Sequence, residues 1–377
     1  MSNLVFRPYE ERDAEGYWHT RDMTYNNGEV TPPENRKFKT TRAFVGELDG
    51  RVVACFNVLD LTCTRGNRGI LKCAGIAGVA VLPEFRHLGI GSKMMSWSIP
   101  ALRAEGYQIA SLYGFRETFY RKFGYEMCGN RLLINCPTHR LPRLKPELPV
   151  RTIPISEHAQ LQACHETFAR RLGGMNVRTD KHWGRVLDEK KAIYVAGDPV
   201  EAYAIVDHSV DFWIPQYVNE TAWTTAAGYR SILAVLSQIC INKSGLEMFE
   251  PSDSPFLAAF IDQGIEVKSS RLIMYRLLDV PGALSALSPV RAGTFNVTVR
   301  DDLIPENDGS WRVSDDGSAV SVSKGASGLS ADIRVWTQAY LGEPGLDQLA
   351  FVDQSPEDLK AAKLFLPPMP AYCQEFF

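Results

Sequence analysis

The alternation of apolar and polar positions changes period many times along this chain, and the changes mark out its elements. Residues 4–8 read as a short strand and roughly 10–25, with Tyr17, Trp18 and Tyr25, as a helix. Ala43 to Leu48 and Arg51 to Thr64 are β-rich, and Asp49-Gly50 between them is a two-residue hairpin turn. Gly66-Asn67-Arg68-Gly69 is a second turn and leads into a strand over 70–82. The amphipathic stretch from Ser92 to Glu105 predicts a helix, Tyr107 to Tyr113 a strand, Glu117 to Lys122 a helical turn, and Tyr125 to Asn135 a final strand.

Cys136 to Val150 then brings Pro137, Pro142, Pro146 and Pro149, which suit neither a helix interior nor a central strand and so place a domain boundary there. After it the same order begins again: a strand at 151–155, a helix from an N-cap at Ser156 to about 172, β-rich runs at 192–197, 201–208 and 211–223, and a long helix at 225–243. Leu246 to Phe249 follows as strand, Pro255 to Gln263 as helix and Val267 to Leu278 as strand. Past Asp279 the pattern changes. A short helix at Gly282 to Leu287 precedes Phe295, Val297 and Val299, which alternate with Asn296, Thr298 and Arg300 as in a half-buried strand. Asn307-Asp308-Gly309 and Asp315-Asp316-Gly317 punctuate further β-segments, and Ala331 to Leu341 and Glu357 to Phe365 read as helices. Chain ends are usually polar and frayed, whereas LPPMPAYCQEFF is apolar and proline-stiffened, so this one should dock. Three domains are expected, 1-136, 137-280 and 281-377, in a mixed α+β and α/β architecture whose second domain is a degenerate copy of the first.

A length of 377 residues agrees with several cores. The 41 basic and 44 acidic side chains nearly cancel, which argues against a nucleic-acid binder that relies on neutralising phosphates. MSNLVFRPYE lacks the basic and apolar regions of a signal peptide and no apolar run reaches membrane-spanning length, so a cytoplasmic protein is expected. The eight cysteines sit in apolar runs without CxxC spacing and read as small buried hydrophobes in a reducing compartment. The seven histidines form neither HExxH nor a close cluster with cysteine, so no metal site is expected.

The chemistry concentrates in residues 75–92, GIAGVAVLPEFRHLGIGS. Val79, Ala80 and Val81 close a strand, Pro83 ends it, and the chain turns through Arg86, His87, Leu88, Gly89, Ile90 and Gly91 into the helix at Ser92. Such a strand, loop and helix leave backbone N–H groups unpaired where an anion's oxygens can sit. The V-x-P-x-x-R-x-x-G-x-G spacing from Val81 to Gly91 resembles the pyrophosphate-binding motif of the GNAT acetyltransferases, which implies acetyl-CoA as cosubstrate. On that resemblance Val79 to Val81, Arg86 to Ser92 and the pair Phe115-Arg116 would contact it. The corresponding place in the second copy, TTAAGYR at 224–230, keeps one glycine, which points to a structural and substrate-shaping role.

Two GNAT-like domains, each a partly antiparallel mixed sheet flanked by helices, followed by a small domain of sterol-carrier-protein type, resemble the Eis (enhanced intracellular survival) acetyltransferases over the whole chain. The likeness is carried by Val79 to Ser92, by FYRKFGY at 119–125 and by the apolar chain end. It implies acetyl transfer to primary amines of small molecules, aminoglycosides or polyamines among them, in a homo-hexamer. It also implies Tyr120 as the general acid and the terminal carboxylate of Phe377 as the base. From the residues alone aromatic packing at the end of the sheet accounts for Tyr120, and Tyr113 and Tyr125 compete with it for the role. A GNAT enzyme acting on protein amines, or a lipid- or protein-binding scaffold with a vestigial CoA site, are the alternatives.

Overall fold

The computed structural model describes residues 3–38, 41–209, 211–271, 273–288, 292–350 and 354–377. The first sheet begins with β1 (Leu4–Pro8), followed by helix α1 (Ala14–Tyr25) and the long hairpin of β2 (Thr41–Leu48) and β3 (Arg51–Thr64). Asp49 and Gly50 make its turn with φ of 49° and 84°, the doubly positive geometry that matches the twist of the flanking strands. Then come β4 (Ile70–Val81), α2 (Ile90–Ala104), β5 (Ile109–Tyr113), α3 (Glu117–Arg121) and the short β6 (Glu126–Met127).

Tyr125 to Asn135, expected as one closing strand, is divided between two sheets. β6 stays in the first, and β7 (Arg131–Pro137) pairs in the second with β12 (Gly245–Pro251) and β13 (Glu266–Ser270). Gly129, at φ 79°, makes the crossing, and a Cβ there would lie 2.1 Å from the Ala371 carbonyl oxygen, so glycine is required. The expected strand from Val267 to Leu278 divides in the same way. β13 belongs to the second sheet, while β14 (Ile273–Leu277) enters the first between β5 and β6. Each of the first two domains thus lends a strand to the other.

The second sheet is otherwise built as the first: β8 (Val150–Ile153), α4 (Gln162–Arg170), α5 (Asp180–Val186), β9 (Lys191–Ala196), β10 (Ala202–Asp207), β11 (Gln216–Trp223), α6 (Ala226–Ile239), β12 and α7 (Pro255–Ala259). One element here was not expected, and one expected strand is shorter. Seven-residue α5, started by a Thr179/His182 capping box, is too short and too polar to show a period. The strand expected from 211 starts only at Gln216, since Trp213 sits at φ 69° and cannot continue a strand.

The third domain opens with α8 (Val280–Ser285) and sets β15 (Gly293–Arg300), β16 (Gly309–Asp315), β17 (Val320–Lys324) and β18 (Leu329–Asp332) in a sheet ordered 17-16-15-18, with α9 (Ile333–Leu341) and α10 (Pro356–Phe365). Residues 331 and 332, expected in a helix, end β18, and Asp332 caps α9 through the N–H groups of Arg334 and Val335. Its core is continuous with the first domain's: Leu61 and Cys73 pack in one cluster with Val297, Trp336 and Phe365. All eight cysteines are unpaired and buried. Among the described residues no helix is long and apolar enough to cross a membrane, and no group of three or more His, Cys, Asp or Glu side chains is placed to hold a metal.

Candidate active site

β4 opens the site by failing to pair evenly. Against β3, Asn57 faces Ala77 and Cys55 faces Ala80, so Phe56 opposes Gly78 and Val79 together in a bulge, with Gly78 at φ 59°. On its other side β4 pairs in parallel with β5 only from Cys73–Ile109 to Ile76–Leu112. Among the described residues that edge of β4 has no partner strand beyond Ile76, and its main-chain groups line a gap. Tyr25 of α1 reaches the same bulge, its hydroxyl donating to the Val79 carbonyl at 2.8 Å.

From the end of β4 the chain makes a 3₁₀ turn over Pro83–Leu88 and reaches Gly89 in the left-handed region (φ 69°, ψ 19°), which starts α2. Among the described residues no side chain caps this helix. Its first-turn N–H groups and the positive end of its dipole are left for an anion, and a Cβ on Gly89 would meet nothing within 4 Å, so the main chain stands open there. Arg86 folds back, Nε donating to the Val81 carbonyl at 3.0 Å, while His87 and Leu88 are exposed. Ser92 and Gly91 are half-buried. Ala80 and Ile90 turn their side chains into the core, so only their main chains face the gap. Phe115, 77% exposed, and Arg116 precede α3, whose Phe119 ring comes to 3.8 Å from where a Cβ on Gly91 would sit.

The second domain does not repeat the cradle. Thr225 caps α6, its hydroxyl oxygen accepting from Gly228 N at 3.0 Å and donating to the Glu201 carboxylate at 2.6 Å. The Thr225 hydroxyl thus takes an N–H that an anion would need, and Gly228 is pressed against the Glu201 main chain, 3.1 Å from where its Cβ would be.

Tyr120, on α3, packs over Gly114 and against Phe119 and Phe115, ring centroids 5.0 and 5.8 Å away. Its hydroxyl has no hydrogen-bond partner among the described residues, and burial, with Tyr25 adding to it, raises its pKa and keeps the proton in place. The two competing tyrosines are placed differently. Tyr113 donates to the Glu375 carbonyl at 2.5 Å, and the Tyr125 hydroxyl is sealed in the core without a partner among the described residues. The chain end lies beside them. Phe377 is half-buried, its ring 5.3 Å from that of Tyr113 and its Cε2 3.3 Å from where a Cβ on Gly75 would sit. Tyr120 over Gly114 and Phe377 beside Tyr113 therefore meet the same end of β5.

The sequence reading did not single out Arg178, Glu220 or Arg185. Arg178 is fully buried and binds Glu375 through Nε (2.6 Å) and Glu220 through both terminal nitrogens (2.7 Å each). Arg185 on α5 reaches the Phe376 carbonyl at 3.4 Å. The one signal available was Glu220 itself, a charged residue at an inward position of β11, whose alternation runs Gln216, Val218, Glu220, Ala222.

The profile of the acetyltransferase (GNAT) domain matches residues 6–128 and that of the sterol carrier protein domain residues 280–374. An uncharacterized N-acetyltransferase of Streptomyces coelicolor is 25% identical over 333 residues, spanning 81% of this chain and 80% of the relative. The chain carries a GNAT acetyltransferase domain at its start and a sterol carrier protein domain at its end. Solved structures share this acetyltransferase's fold from end to end. A GCN5-related N-acetyltransferase from Anabaena variabilis superposes with TM-score 0.86 at 16% identity, and Eis1 from Mycobacterium abscessus with 0.77 at 18%, each over 100% of both chains. The acetyltransferase's cradle follows the end of β4, and Tyr120 and the chain end meet the neighbouring end of β5 from opposite faces of the first sheet, Tyr120 packing with Ile76 and Leu112 and Phe377 with Cys73 and Ile109.

Proposed function

We propose that this acetyltransferase uses acetyl-CoA to acetylate primary amines of small molecules by direct attack, with Tyr120 as general acid and the terminal carboxylate of Phe377 as base. The observation that carries the proposal is the uncapped start of α2 beside the unpaired edge of β4, with Tyr120 and the chain end at the neighbouring end of β5. Acetyl-CoA supplies the activated acyl group as a thioester. Ile90, Gly91 and Ser92 offer main-chain N–H groups to its pyrophosphate, Gly89, whose own N–H donates to the Arg86 carbonyl, lets the main chain come close, and Arg86 and His87 stand at the rim with Phe115 and Arg116 as further contacts. The free edge of β4 at Val79, Ala80 and Val81 offers N–H groups to the thioester carbonyl, where charge develops.

As the amine nitrogen bonds to the acyl carbon, Phe377 takes the proton the nitrogen loses. As the carbon–sulfur bond breaks, Tyr120 gives its proton to the sulfur. A lysine-like amine titrates near 10.4 and an α-carboxyl near 3.3–3.7, so the role of Phe377 depends on its being drawn out of water, and its packing on Tyr113 and Gly75 supports that. The filled core of the third domain, where Phe295, Val297, Trp336 and Phe365 pack together, favours an enzyme over a lipid carrier. The proposal extends to a homo-hexamer in the cytoplasm, to be checked by light scattering.

Thiol release from acetyl-CoA in the presence of polyamines, aminoglycosides and lysine-containing peptides tests the proposal. Release with the small amines is expected; release with peptides alone would replace the substrate class, and none with any amine would overturn the activity.

A further inference from the structure

The gap beside β4 has a counterpart in the second domain. β11 and β12 pair in parallel only from Gln216–Leu246 to Val218–Met248, although β11 runs on to Trp223 and β12 to Pro251. Here the gap is filled from within the chain. Gln374 Nε2 donates to the Thr221 carbonyl (2.7 Å) on one splayed strand, and the Tyr372 hydroxyl to the Phe249 carbonyl (3.1 Å) on the other. Just upstream, Gly173 N donates to the Pro370 carbonyl (2.9 Å) and Tyr372 N to the Gly173 carbonyl (2.8 Å). Downstream, Arg178 joins Glu375 to Glu220, which lies on β11 past its last pair with β12. Behind Glu220 stands the Tyr203 hydroxyl, donating to it at 2.6 Å, and His165, 3.0 Å from Tyr203 and kept neutral by burial with its pKa pushed down to about 3.

We infer that the cofactor-type gap of the second domain has become a clamp for the chain end, with Arg178 and Glu220 acting as positioning residues for the Phe377 carboxylate. The inference rests on Phe377 being the base. A guanidinium fork fixes direction as well as distance, and Arg178 spends three nitrogens on two buried carboxylates, so the arrangement has one geometry. Glu375 is two residues from the terminus, so slack there is handed on to the carboxylate, and a misplacement of about 1 Å can cost on the order of 10²-fold in rate. The duplicated domain, which lacks a cradle of its own, would then serve catalysis by holding the residues that enter the first domain's site.

The test uses the full chain ending at Phe377 and compares Glu375→Gln, Gln374→Ala and Arg178→Lys with the parent protein. Carboxypeptidase release of phenylalanine, followed by mass spectrometry, reports how tightly the end is held. The rate of acetylation reports whether that matters. Release is expected to quicken by about 10-fold or more as local opening becomes easier. In the same variants kcat should fall by about 10–100-fold while KM for acetyl-CoA, set by the distant cradle, stays within about 2-fold. Should Arg178→Lys fail to fold, Glu375→Gln, a change in the tail alone, carries the comparison. Unchanged release in the folded variants overturns the clamp. Faster release with undiminished kcat leaves the clamp standing and removes Phe377 as the base.

Discussion

Tyr113, Tyr120 and Tyr125 lie within thirteen residues of chain, on β5, on α3 and just after it, and differ in the surroundings of their hydroxyls. Tyr120→Phe removes only the group proposed to protonate the departing sulfur, so kcat should fall about 10²–10⁴-fold with Tm unchanged; an undiminished kcat would exclude it as the acid. Tyr125→Phe should act on stability instead. Its hydroxyl is buried without a partner, a burden of about 1–3 kcal/mol, so thermal unfolding should show a gain and the rate no loss. Glu250 provides a pH-dependent test. Burial pushes its carboxyl from 4.5 up to about 7, against the hydrogen bonds from Ser254 and Tyr229 that lower it. The folded state thus holds this proton more tightly than the unfolded one. The stability it contributes is complete below about pH 4.5 and is lost as pH rises through about 7, up to about 3 kcal/mol. Glu250→Gln should remove that loss, so its Tm should gain on the parent's between pH 4.5 and 8; parallel curves would contradict the assignment. At this scale the sequence shows which tyrosines are candidates because they sit in one short segment. It hides Arg178 and its partners, since Glu220 lies 42 positions and Glu375 197 positions further along the chain.

Between β4 and α2 the chemistry belongs to main-chain groups, and therefore to the shape of the elements. The bulge at Gly78–Val79 and the early end of the β4–β5 ladder expose an edge, and the left-handed Gly89 starts a helix without a capping side chain. Ser92→Glu separates the cradle from the helix. An acidic side chain in the first turn favours α2 by about 0.3–1 kcal/mol while it repels a pyrophosphate held there. KM for acetyl-CoA should rise by about 10-fold or more with Tm held or raised, and an unchanged KM would remove the pyrophosphate from this loop. The glycine spacing made this element legible from the chain alone, because few other arrangements need Pro83, Gly89 and Gly91 together. Strand exchange was not legible. Gly129 breaks Tyr125 to Asn135 visibly, yet which sheet receives the second half depends on β12 and β13, more than a hundred residues away. The seven residues of α5 were missed because a capping box and two turns carry too little periodicity.

In the whole molecule the last residues tie the three domains together. The tail leaves the sterol-carrier-type domain, bridges the splayed strands of the second domain and ends on the first domain's sheet, against Tyr113 and Gly75. An apolar, proline-stiffened terminus announced that docking in the sequence, although not the cleft that receives it. If the carboxylate of Phe377 is the base, its position matters and the side chain that bears it matters little. The decisive measurement is the acetylation rate of the N-terminally tagged enzyme with its natural end, with Phe377 deleted, with a C-terminal extension and as Phe377→Leu. Deletion draws the carboxylate back roughly 3.3–3.6 Å, so deletion and extension should each lower kcat by about 10²-fold or more at nearly unchanged Tm, with Phe377→Leu retaining much of the rate. A truncated or extended enzyme that acetylates amines as fast as the parent would contradict the account.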